Sequence, residues 1–204
     1  MSEPLAKDAE DDRLAGVLMI AAALMSILAM AHHPVGASQL WLARLVHGAL
    51  MALMLCLFAG FARFAVRRGV SRLPVLLALT AYGAGMIGNL LAATVSGFVA
   101  PALLEAEAPR ELLSLCWKLN QAFAYEAVYA CAAAFSLWGV DLLVRARGAD
   151  RLLGAAGLVS GLAPASLLAA GVLTMHVEGA FAVYAAHAAF SIMVGCSLLA
   201  ARRS

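Results

Sequence analysis

The stretch LWLARLVHGALMALMLCLFAGFARF, residues 40–64, decides the fold. Only Arg44, His47 and Arg63 interrupt it with a basic group, and no acidic residue falls within it. About 20 consecutive apolar residues cross the hydrocarbon core of a bilayer as a helix, so this segment is long enough to span with some tilt. Working outward, five more runs of the same kind follow, at 14–31, 74–99, 112–140, 152–173 and 180–200. Hydrophobic residues make up 64% of the 204-residue chain and charged ones 13%, against roughly 25% charged in a soluble domain. With a mean hydropathy of +0.91, too little polar surface remains to coat a soluble globule. The expectation is an all-α, polytopic membrane bundle of six transmembrane helices: a polar cytoplasmic tail at 1–13 and one six-helix domain at 14–204.

Lysine and arginine orient such a bundle, because cytoplasmic loops carry the excess. With the N-terminus inside, one side holds Lys7, Arg13, Arg63, Arg67, Arg68, Arg72, Arg145, Arg147, Arg151, Arg202 and Arg203. The other holds Arg44, Arg110 and Lys118. Eleven against three predicts N-in and C-in, in a bacterial inner (cytoplasmic) membrane. The net charge of +2 thus reports topology, and nothing points to a nucleic-acid partner. The first run follows the acidic residues Asp8, Glu10, Asp11 and Asp12, unlike the basic head of a cleavable signal peptide.

Punctuation between the runs is short. Pro34 and Gly36 break the chain after the first run, 67–72 is a basic turn, and Pro74 opens the third helix where its missing N–H is tolerated. The 105–111 loop is acidic. Gly157 and Gly161 form a GxxxG pair suited to close helix contact or to homo-oligomer formation, and Pro164 predicts a kink. Cys56, Cys116, Cys131 and Cys196 show no C-x-x-C spacing and read as small packing residues.

Polar side chains at membrane depth cost about 2.5–3.5 kcal/mol on insertion scales, so they face the bundle interior and are functional candidates. His47, Asn89, Asn120, Gln121, Glu126 and His187 all fall in the outer half, and His32, His33, Lys118, His176 and Glu178 at the outer rim. Helical spacing groups Arg44, His47, Met51 and Met54 on one face, Tyr184, His187 and Ser191 on another, Tyr82, Gly85, Asn89 and Ser96 on a third, and Trp117, Gln121, Tyr125 and Tyr129 on a fourth. The simplest packing turns these four stripes into one outward-facing pocket.

Three uses of that pocket follow. Haem b needs an imidazole with a free nitrogen and a cation near its propionates, which His47, His187 and Arg44 could supply. Asn89, Gln121 and Glu126 would then polarise a small apolar substrate or quinone for redox or isomerase-type chemistry. Copper or zinc at the rim would use His32, His33 and His176, beside Met30, Met175 and Glu178, because thioether with imidazole suits Cu(I). A small proton-linked carrier would use Glu126 and His187; an assembly factor would need none of these.

The stretch Trp41-Leu-Ala-Arg44-Leu-Val-His47-Gly48-Ala-Leu-Met51, followed by Gly88-Asn89 on a later helix, resembles the small bacterial membrane haem-b isomerases of the styrene oxide isomerase type. Those proteins pair an Arg-x-x-His or His-Gly-x-Leu-Met pattern with an Asn-bearing helix. The resemblance covers the second and third runs, and it implies haem b, His47 as its axial ligand and Asn89 in the pocket.

Overall fold

The computed structural model describes residues 3–33 and 39–200, with side chains from Asp8 onward. Pro34, Gly36, Arg202 and Arg203 lie outside the described residues, and so does the Lys7 side chain. The chain forms α1 (Glu3–Ala31), α2 (Leu40–Arg67), α3 (Leu73–Thr94), a π-helical turn (Val95–Val99), α4 (Ala100–Glu105), α5 (Arg110–Arg145), α6 (Ala149–Ala169) and α7 (Val177–Leu199). Helix α3, the π turn and α4 run on as one crossing, so six spans long and apolar enough to cross a membrane result among the described residues. The chain is a multi-pass membrane protein. Its lipid-facing surface carries Leu24, Leu55, Ile87, Val159 and other large apolar side chains, as a bilayer solvent permits.

Helix α1 lies between α2 and α7, while α5 lies between α3 and α6. Small residues set these contacts, since lipid offers no hydrophobic drive and backbones must approach closely to gain dispersion energy. Gly16 of α1 faces Gly195 of α7, and Gly139 of α5 faces Gly154 of α6; a Cβ on either member of each pair would meet backbone oxygen of the other. The Gly157–Gly161 pair packs onto Ala132 and Phe135 of α5, so it serves an intramolecular contact. Pro164 is buried within an unbroken α6.

The middle of the bundle is filled by stacked aromatic rings. Phe61 sits 4.3 Å from Tyr82 and 5.0 Å from Trp138, and Phe135 sits 4.7 Å from Phe190, measured between ring centres. Below this layer lies an end rich in arginine, stitched by ion pairs. Asp12 bonds Arg63 at 2.6 Å and lies 3.5 Å from Arg67, and Asp8 joins Arg63 at 3.2 Å. The acidic segment before residue 14, expected as a polar tail, is helix from Glu3, and these pairs anchor it to α2 through Asp8 and Asp12. Arg67 also donates to the Ser197 carbonyl, so α1, α2 and α7 meet at this arginine end.

Asp141, almost fully buried, is held by Arg72 and by Arg145 at 3.2 Å, and Arg68 bonds Asp150 at 2.9 Å. Removing one partner strands the other charge. Asp141→Asn is expected to cost about 2–3 kcal/mol, less than a fully buried pair because both arginines keep some water. The thermal midpoint of the detergent-purified variant should fall by several degrees; an unchanged midpoint would show the triad to be idle.

Candidate functional site

At the end of the bundle opposite the arginines, five crossings (α1, α2, α3 with its π turn, α5 and α7) open onto a cavity of about 110 Å³. The π turn helps to shape it. Gly97, inside that turn, packs directly against the His47 Cβ, so a side chain there would displace the imidazole. Single π turns inside α-helices recur at functional sites, where they re-aim neighbouring side chains. One residue earlier, Ser96 donates to the Asn120 side-chain oxygen at 2.8 Å, tying the turn to α5.

His47 is buried, and its Nδ1–H donates to the Ala43 carbonyl at 2.8 Å. A carbonyl only accepts, so the proton sits on Nδ1 and Nε2 keeps its lone pair. His33 packs edge-on to His47, with ring centres 5.0 Å apart. Met30 and Met175, both buried, line the same cavity with Asn89, Trp117, Asn120 and Tyr184; among the described residues no carboxylate does. Met175 is positioned through its backbone, whose carbonyl accepts from Gln121 Nε2 at 3.0 Å.

Beneath it lies a smaller chamber of about 40 Å³, and Asn89, Met175 and Tyr184 belong to both. At this boundary the Tyr184 hydroxyl donates to the Asn89 side-chain oxygen at 3.2 Å. His187 lines the lower chamber, with its ring edge-on to Phe135 at 5.1 Å and its Nε2 buried without a hydrogen-bond partner. Ser26, Met54, Tyr82, Met86, Cys131 and Ser191 complete the polar and sulfur lining. Tyr82 and Phe135 form the floor, continuous with the aromatic layer described above.

Several expected site residues do something else. Arg44 is engaged by Glu105 through two bonds of 2.8 and 2.6 Å, an exposed pair that joins α2 to α4, and it lines neither cavity. Glu126 is exposed on the outside of the bundle, its carboxylate lying over Gly88, and lines neither cavity. It therefore shares no polar path with His187. Gln121 supports the loop that carries Met175. His32 is exposed and bonds the Leu28 carbonyl at 2.9 Å, and His176 is exposed beside Trp117 at 5.4 Å. His32, His33 and His176 are not gathered: among the described residues no three His, Cys, Asp or Glu side chains assemble as a metal site.

Of the four helix stripes, those on α2, α3 and α7 meet at the cavities, through His47 and Met54, Tyr82 and Asn89, and Tyr184, His187 and Ser191. On α5 Trp117 of the expected stripe lines the upper cavity, but the facing residues continue as Asn120, Ala124, Ala127, Val128 and Cys131, and Tyr129 faces out. The sequence reading missed Ser26 of α1, which no polar periodicity signals; Met30, expected at the rim beside His32 and His33, lines the upper cavity.

Cofactor-sized ligands occupy pockets of roughly 300–1,000 Å³, well above either cavity, and His47 and His187 line different chambers. Small ions and waters do fit. Comparison of the chain with protein-family models, with curated proteins and with solved structures gives no match.

Proposed function

We propose that this protein captures and holds a soft monovalent metal ion, Cu(I), in the cavity at its histidine end. The positive-inside rule puts the arginine end in the cytoplasm of a bacterial inner membrane, so the cavity faces the outer compartment. The observation that carries the reading is the donor set: two imidazoles, His33 and His47, and two thioethers, Met30 and Met175, on one small cavity with no carboxylate among its described lining. Thioether and imidazole select Cu(I), whereas Mg, Ca and Mn want oxygen. Zinc is bound by Cys, His, Asp and Glu side chains, and no group of three of these forms among the described residues.

The spacing supports the same choice. An ion about 2.0–2.1 Å beyond a ring nitrogen lies about 3.2 Å from the ring centre, so two ligating rings have centres at most about 6.4 Å apart. The 5.0 Å between His33 and His47 is within that limit. The Nδ1 anchor on His47 is the second contact by which proteins fix the tautomer of a ligating histidine.

The test is a spectrum and a metal analysis on one sample. Detergent-purified protein is exposed anaerobically to Cu(I), dialysed, and scanned oxidised and dithionite-reduced. Stoichiometric copper with no Soret band is the expected result. A Soret band with a sharp reduced α-band in the protein as purified would overturn it in favour of haem b on His47, as the isomerase resemblance implies. A sample that keeps neither copper nor haem would turn the assignment to a carrier or assembly role.

A further inference from the structure

We infer that the lower chamber is a second, deeper station for the same soft ion, with Met175 as the donor shared between the two. This rests on the reading of the upper cavity as a soft-metal site. Five soft donors line the chamber: the His187 imidazole, the thioethers of Met54, Met86 and Met175, and the Cys131 thiol. The exposures of Met54, Met86, Met175 and Cys131 are 3%, 9%, 7% and 1%, and no carboxylate is among the lining residues. His187 Nε2 is the second, independent sign of a ligand, since a buried polar nitrogen without a partner is costly and rare.

Size selects what can enter. A volume of about 40 Å³ admits a bare ion or a water or two, a water's share of liquid being roughly 30 Å³. A bare cation leaves its hydration shell only where protein donors replace it, and the chamber offers them from α2, α3, α5, α7 and the loop before α7. Along α2 the step from His47 to Met54 is seven residues, and on α7 that from Ala180 to His187 is the same, so the stations stand about 10 Å apart along the axis.

Between them stands the Tyr184–Asn89 hydrogen bond, with Met175 touching both sides. A methionine side chain has three rotatable bonds, so its sulfur can follow an ion while the Gln121 bond holds its backbone. Beyond the chamber the stacked rings of Phe61, Tyr82, Phe135 and Trp138 close the way. An ion moved to the second station is therefore shielded from water and held, with no open route onward.

The experiment is a silver(I) titration of the full-length purified protein by calorimetry, with bound silver counted after dialysis. Silver(I) stands in for Cu(I) without redox chemistry. Cys56, Cys116 and Cys196, which line neither cavity, are replaced by alanine to remove stray thiols. Two ions per chain are expected, falling to one in His187→Ala and in Met86→Leu; the second variant conserves volume and guards against misfolding. A single ion, lost in His47→Ala and unmoved by His187→Ala and Met86→Leu, would overturn the second station and leave the upper site standing. No bound ion in the parent protein would overturn the upper site itself.

Discussion

His47→Ala should weaken metal binding at the histidine end by about 100-fold or more while the protein still inserts and purifies. Losing even a second-shell partner of a ligating histidine costs about 10–100-fold in affinity, and here the ligand itself is removed. Of the two imidazoles on the cavity, His47 is the one carried within a helix, with its tautomer set by the Ala43 carbonyl. Its Cβ is also wedged against Gly97 of the π turn, so ring position is determined from two sides. His32→Ala and His176→Ala serve as controls, because neither ring lines the cavity. Competition against a Cu(I) chelator of known affinity would measure all three variants. Equal affinities in His47→Ala and the parent protein would remove the site from this cavity; a comparable loss in His176→Ala would move it to the rim.

The largest effect on stability is expected from Gly154→Val. The added atoms would meet the Gly139 carbonyl oxygen of α5 at 2.8 Å, with the Leu142 Cβ at 3.0 Å. Backbone cannot swing aside as a flexible side chain can, so α5 and α6 must separate. Over-packing costs about 1–3 kcal/mol where side chains can adjust, and the upper end or beyond applies where two backbones touch. Ala155→Val, one position along on an exposed face, should cost almost nothing. Fluorescence-detected thermal denaturation in detergent would compare them. A Gly154→Val midpoint equal to that of Ala155→Val would show that this crossing has slack and that small residues do not set it.

The two expectations differ in how far the chain alone supports them. Gly157 and Gly161 were legible as a contact pair from spacing, yet their partner was not, and neither was the Gly139–Gly154 crossing. Helical periodicity found the facing residues of α2, α3 and α7 because His47, Asn89 and His187 are expensive in lipid and point inward. It misplaced the facing stripe of α5, where the phenol of Tyr129 and the carboxylate of Glu126 face outward. A polar residue on such a helix marks depth, not direction, when the membrane interface can also satisfy it.

The six spans and the concentration of histidines at one end were determined by the sequence itself. Each follows from a one-dimensional quantity: the length of an apolar run against the thickness of a bilayer, and the position of a polar residue along it. Which groups share a cavity was decided only by tertiary packing. Helix rotation and interhelical distance depend on where small residues let backbones meet, and one π turn shifts every side chain beyond it. Those contacts took Arg44 to Glu105, left Glu126 outside, and brought Met30 of α1 and Met175 of a loop to His33 and His47.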